Sequence, residues 1–183
     1  MKNRNLAFID LETTGLDPIK HEIIEIGGIV ARQIPQAGRG SAIEPIAEFE
    51  YKIKPKDLTS ADPEALRING YNDADWLFAP DLEQVLPAIA DQTEGAIMIA
   101  HNVMFDWNFL NQAFLRTGIK NKMHYHKIDL LAMAFAKLYH QEEVQYFNLA
   151  SLAKHFDITN PKAHTALADT QTAFAIYRKL LEI

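Results

Sequence analysis

Apolar and polar positions divide the chain into short continuous apolar runs, one alternating run and several longer stretches of helical period. Leu6-Ala7-Phe8-Ile9 is an unbroken apolar run that ends at acidic residues, and it predicts a buried strand over residues 5–10. Residues 22–31, EIIEIGGIVA, are rich in β-branched side chains and predict a second strand. Residues 46–53 alternate, with Phe49, Tyr51 and Ile53 on one face and Glu48, Glu50 and Lys52 on the other, as in a half-exposed antiparallel strand. The Pro- and Gly-containing stretch 35–45 between these two reads as a loop. AIMIA at 96–100 predicts a buried parallel strand, and Lys127–Leu130 a short last one. Helices are predicted over 62–69, 81–91, 103–117, from the last strand through Tyr139, over 149–155 and over 165–181. Gly118 is suited to end the third of these, and Asn148 to cap the start of the fifth. Three strands followed by helices alternating with strands predict an α/β fold, a mixed sheet flanked by helices.

With 183 residues and 48% hydrophobic content, the whole chain, 1–183, reads as one domain with a real core. No apolar run approaches the roughly 20 residues of a membrane span. The four apolar residues near the N-terminus are too few for a signal peptide. The absence of cysteine excludes disulfides, thiolate metal sites and cysteine nucleophiles, and a cytoplasmic protein is the expectation. The net charge of −6 argues against a basic nucleic-acid-binding surface. An acidic enzyme can still act on a polyanion when metal ions neutralise its site, and it then grips a short piece of substrate.

Such a site is written into the first strand. Side chains alternate along a strand, so Asp10 and Glu12 point the same way where the apolar run ends. Two neighbouring carboxylates repel each other, and burial is costly unless a cation compensates. Divalent cations prefer such hard oxygen donors. A second acidic site, Asp106 in HNVMFD, lies in the first turns of a helix at the carboxyl end of the fourth strand, where ligands gather in open α/β sheets. Taken alone it reads as a helix-dipole carboxylate, with Asn102 fixing or capping the turn. In HTALAD, His164 and Asp169 are five residues apart and share a site only if His164 precedes the helix that carries Asp169. Taken alone, His164 reads as a cap or a surface histidine.

The combination, in the order Asp-Glu, Asp, His-Asp at strand ends and helix starts, resembles the DnaQ-like 3′→5′ exonucleases. These form the DEDD family with a ribonuclease H-like fold. DLETTG is similar to the first family motif, HNVMFD to the second and HTALAD to the third, and the resemblance extends from Leu6 to about Leu180. The histidine five residues before the last aspartate matches the histidine subclass (DEDDh). The sister subclass has a tyrosine four before, where this chain has Thr165. The resemblance implies a mixed sheet of about five strands, the first three antiparallel and the later ones parallel. It implies Asp10, Glu12, Asp106 and Asp169 as ligands of two divalent ions, Mg²⁺ or Mn²⁺, with His164 as the general base. The expected reaction releases nucleoside 5′-monophosphates from the 3′ end of a single strand, DNA slightly favoured over RNA. Thr13, Thr14 and Leu16 are expected to lie against the terminal nucleotide, and Phe105 and Trp107 could stack a base, although Phe105 also shares a helix face with Phe109.

Two other readings compete. FIDLETT also approaches the first motif of haloacid-dehalogenase-like phosphatases, but Glu12 stands where that family needs an aspartate. A non-catalytic nucleic-acid-binding module of the same fold is the other, and the acidic set argues against it. The chain ends soon after the third motif, which favours a free-standing nuclease over a tethered proofreading subunit. A polymerase or repair partner and a monomeric or homodimeric state both stay open. Glu25 within the second strand is expected to have a hydrogen-bonded partner, and Asp129 to cap a helix. His101 is expected to fix a turn, and His124 and His126 form a weak candidate metal pair.

Overall fold

The apolar run that opens the chain forms the central strand β1, Leu6–Thr13, in a computed structural model that describes residues 3–35, 41–160 and 165–183. The strand continues three residues past its predicted end, so the acidic pair lies within it. Strand β2, Ile23–Pro35, pairs antiparallel with β1, and β3, Ser41–Lys52, antiparallel with β2. Strands β4, Ile97–Ala100, and β5, Lys127–Asp129, add in parallel on the other side, giving the order β3-β2-β1-β4-β5. This is the predicted mixed sheet.

The predicted loop 35–45 is corrected. β2 and β3 stay paired out to Pro35 and Ser41, leaving only residues 36–40, which lie outside the described residues. Past the register shift at Val30/Ala31 the pair is largely solvated, with Arg32, Ile34, Glu44 and Ile46 exposed. No burial alternation therefore marks this extension in the sequence, and the prolines are tolerated at an edge and a bulge.

The helices are α1, Pro63–Ile68, α2, Asp73–Trp76, α3, Leu82–Gln92, α4, Val103–Thr117, α5, Leu130–Leu138, α6, Leu149–His155, and α7, Ala166–Glu182. Helix α4 ends on Gly118 at φ 70°, and the Asn148 side chain accepts the Ser151 N–H at the start of α6, as expected. The sequence reading missed α2, whose four residues are too few to show a period. It is held by the Asn72 cap and by buried Trp76, whose ring N–H donates to the Ile24 carbonyl at 2.8 Å. No helix among the described residues is long and apolar enough to cross a membrane.

The sheet separates two cores. Ala7, Ile9 and Leu11 of β1 face α3 and α4, where Leu86, Ile89, Phe109 and Leu110 pack. Leu6 and Phe8 face α5, α6 and α7, and Phe8 meets Phe174 and Tyr177 edge-on at 5.1 and 5.2 Å between ring centres. The alternation that buries Leu6 and Phe8 toward α7 carries Asp10 and Glu12 to the same side.

Candidate active site

The pairing of β1 with β4 ends at Phe8 opposite Ile99, while β1 continues to Thr13 against β2 alone. Asp10 and Glu12 occupy this overhang. The Leu11 N–H on the overhang favours the ionised carboxylate of Asp106, which is only 3% exposed. Asp106 arrives there because the chain turns sharply after β4. Asn102 adopts the left-handed conformation (φ 66°, ψ 58°) and α4 starts at once. Asn102 thus fixes the turn, and its side chain makes no capping bond.

The third acidic segment arrives with α7. Gly27 pairs across from Asp10, and a Cβ on Gly27 would lie 2.2 Å from the Ala166 carbonyl carbon and 2.3 Å from the Leu167 nitrogen. The first turn of α7 therefore rests on bare β2 backbone, a close approach that only glycine permits. Glu25 pairs across from Glu12, and its Oε1 accepts the Ala166 N–H at 2.9 Å, the partner expected for this buried carboxylate. With α7 held this way, carboxylate oxygens of Asp10, Glu12 and Asp169 all lie within 4.8 Å of one another. Asn160 Nδ2 donates to Asp169 Oδ1 at 2.6 Å. His164 lies outside the described residues, which resume at Thr165, the residue that precedes α7.

The acids strain against one another. Burial, and then the charges of Asp106, Glu12 and Asp169, hold the Asp10 carboxyl well above the usual carboxylate range. Glu12 is pushed up to about 7, first by burial and then by Asp169 and Glu25. Burial also raises Asp106, against the lowering effect of its own N–H and that of Leu11. Glu25 is raised by burial. Hard anionic donors that are buried or half-buried, close and reluctant to ionise together fit divalent cations, which relieve the repulsion they share.

Glu25 carries a direct test. Removing its acceptor leaves a buried N–H unpaired at about 1–3 kcal/mol. Glu25→Ala is expected to lower the melting temperature and the catalytic rate of the acidic site together, while Glu25→Gln keeps the acceptor and most of both. Equal behaviour of the two variants in calorimetry and in a cleavage assay would show that the bond to α7 is unimportant.

The other sequence candidates distribute differently. Thr14 is fully buried, and its hydroxyl oxygen accepts the Glu22 N–H at 2.9 Å. Thr13 is also buried and its hydroxyl donates to the Gly15 carbonyl at 2.7 Å. Both side chains thus hold the turn after β1, whereas Leu16 projects from it, 77% exposed. Phe105 is half-buried and packs on Phe109, ring centres 5.1 Å apart. The Lys127 ammonium covers Trp107 at 3.4 Å from the ring centre, so one face of that indole is already occupied. Asn69 escaped the sequence reading. It is buried, its Nδ2 donates to the Thr13 carbonyl at 3.0 Å and it braces the turn from α1. A lone polar residue at a helix end carries no pattern that would reveal this.

Asp129 caps α5 as expected, accepting the Leu131 and Ala132 N–H groups at 2.9 and 3.2 Å. The His101 pKa is lowered by burial. His124 and His126 stack at 5.0 Å, but Nδ1 of His124 accepts the His126 N–H, which removes one of the available ligand atoms.

Residues 7–177 match the RNase T exonuclease family. The chain is 30% identical to DNA polymerase III subunit epsilon of Escherichia coli (strain K12), over 92% of this chain and 68% of that protein. It is 28% identical to the PolC-type DNA polymerase III of Caldanaerobacter subterraneus subsp. tengcongensis, over 94% of this chain. There it spans only about a tenth of the relative, 11% of its length. Among solved structures it is similar to the nuclease domain of 3′hExo, described as a DEDDh family member bound to rAMP. The TM-score is 0.75 at 16% identity, over 98% of this chain and 92% of that one. At that identity the likeness establishes the fold, which is ribonuclease H-like.

Proposed function

The chain belongs to the RNase T exonuclease family, and from that premise we propose a metal-dependent 3′→5′ exonuclease acting on single strands, DNA in preference to RNA. The observation that carries this reading is the closure of Asp10, Glu12 and Asp169 to within 4.8 Å at the end of β1, beside buried Asp106. Those four carboxylates would hold two divalent ions, Mg²⁺ or Mn²⁺. Such ions, when bound, supply Lewis acidity toward phosphoryl oxygens and lower the pKa of bound water.

The chain's own groups do the remaining work. His164 is assigned the general base that takes the proton of the attacking water, an imidazole with an ordinary pKa of about 6.5 being suited to that. Its position directly before Thr165 at the start of α7 supports the assignment. Glu25 and Gly27 keep the start of α7 against the sheet and so hold Asp169 toward Asp10 and Glu12. Exposed Leu16 is assigned to the terminal base, with Phe105 along the same route. Thr13 and Thr14 support that contact by rigidifying the turn from which Leu16 projects. Trp107, with one ring face covered by Lys127, is assigned its other face for stacking a base.

The DNA preference rests on the relatives, both named as DNA polymerase III proteins. The same names support docking to a polymerase partner, with the chain itself a monomer or homodimer. Residues 1–183 are taken as one exonuclease domain, supported by the continuous family match. That match leaves the phosphatase alternative without support.

A 5′-labelled single-stranded DNA and a matching RNA, each incubated with Mn²⁺ or Mg²⁺, test the proposal. The expected result is a ladder shortening from the 3′ end, faster on DNA and abolished by EDTA. Metal-replete protein that leaves both strands intact would sink it.

A further inference from the structure

Away from the acids, a cavity of about 400 Å³ opens between the segment after β1, the segment after β3, and α4. Ile23, Phe109 and Ala113 contribute apolar surface to it. Lys20, Lys54, Lys56 and Arg116 also line it, an unusual concentration of cations in a chain of net charge −6.

Two carboxylates are present in the lining, and both are already engaged. Glu22 accepts the N–H groups of Lys56 and Asp57 at 3.0 and 2.8 Å. Glu83 pairs with the Lys56 ammonium at 2.5 Å. Arg116 donates to the Pro18 and Ile19 carbonyls and closes one wall. Lys54 forms no ion pair among the described residues, and Lys20 has only Asp17, at 3.7 Å. These two cations remain for an anionic ligand.

The cavity is joined to the acidic centre by two elements. Phe109 follows Asp106 by three residues on α4, and from Asp106 to Arg116 the helix runs about 15 Å. On the opposite wall, Glu22 is paired to the turn after β1 through the Thr14 N–H at 2.9 Å. We propose that this cavity is an anion subsite that holds phosphates of the substrate strand, a few nucleotides upstream of the scissile bond. The inference rests on the exonuclease reading above and adds to it a route for the strand. An enzyme whose catalytic acids repel phosphate needs cations beyond them to hold the strand.

The test compares unmodified protein with Lys54→Ala, Lys20→Ala and the double variant. Initial rates are measured with Mn²⁺ on an oligothymidylate long enough to span the cavity and on a dinucleotide, across a KCl series. Lysine–phosphate contacts release counterions, and each one lost should flatten the plot of log KM against log salt by about 0.7 for a single strand. The expected result is a KM several-fold higher on the long strand, unchanged kcat, a flatter salt dependence and no change on the dinucleotide. Unchanged KM and salt slope on the long strand, or equal losses on both substrates, would overturn the subsite. Binding of thymidine 5′-monophosphate that disappears in the double variant, with long-strand KM unaltered, would assign the cavity to a free nucleotide and also overturn it. Failure of the unmodified protein to shorten either substrate overturns the exonuclease reading itself, an outcome distinct from a normal 3′ ladder with insensitive variants.

Discussion

Replacing Asp10 with asparagine is expected to abolish nucleolytic turnover and, in metal-free protein above about pH 7, to raise the melting temperature. The amide keeps the shape of the side chain but offers a poorer metal ligand. A loss of roughly 10³-fold or more in kcat/KM, about 4 kcal/mol, is expected. The gain in stability has a different origin. The ionised Asp10 carboxyl is opposed by burial and by Asp106, Glu12, Asp169 and Glu25. Its neighbour Glu12 gives the pH window: a folded-state pKa of about 7 against an ordinary 4.5. A group raised in this way favours the fold fully below its unfolded pKa, and that contribution is lost as pH rises through the folded value. For Glu12 the difference corresponds to about 3 kcal/mol. Exposed carboxylates with lowered pKa, such as Asp17 and Asp57, pull the other way, but solvent screens them. Calorimetry with EDTA should therefore show unmodified protein melting several degrees higher near about pH 5.5 than near about pH 8, at roughly 2–4 °C per kcal/mol. Mn²⁺ at the higher pH should recover the lost stability, and Asp10→Asn should flatten the profile. A profile already flat in the unmodified metal-free protein would mean that the acids are not in conflict.

Gly27→Ala is the second large effect. The added methyl would meet backbone atoms of Ala166 and Leu167 at 2.2–2.4 Å, and no side-chain rotation relieves a clash with a helix backbone. Either β2 or the start of α7 must move. Overpacking of this kind costs about 1–3 kcal/mol or more. The catalytic consequence should exceed the thermodynamic one, because Asp169 lies one turn into the displaced helix. Misplacement by about 1 Å can cost on the order of 10²-fold in rate. The expected variant is folded by far-UV circular dichroism, melts lower, cleaves at least about 10²-fold more slowly and needs more Mn²⁺ for half-maximal rate. Wild-type rate and metal dependence in folded Gly27→Ala would show that α7 does not need this close seat.

Particular residues show how far the sequence could be read. Asp10 and Glu12 were legible as a pair because a period of two is a local property. Helices α4 and α6 were legible because Gly118 and Asn148 mark their ends. Asp106 and Asp169 became legible only through the resemblance, since neither carries a local signal that separates it from a carboxylate at a helix start. The function of Gly27 was invisible: a glycine inside an apolar strand says that something approaches, and only the fold names it as α7. The bond from Ala166 to Glu25 spans 141 residues, beyond any window in which a pattern could show it. The cationic cavity was hidden for the same reason, its lysines being scattered in sequence and gathered by the chain's course.

That 141-residue span also governs the order in which the centre can be assembled during synthesis. Asp10, Glu12, Glu25 and Gly27 leave the ribosome before α7, the helix that seats on them. Contacts of such separation form late, because the intervening loop must first be closed at an entropic cost. Until α7 docks, the acidic pair on β1 lacks Asp169, so neither the full repulsion nor the full affinity for cations exists. A nascent or partly folded chain thus lacks the assembled acidic centre, and on the proposed reading its degradative activity would arise only once the fold is complete.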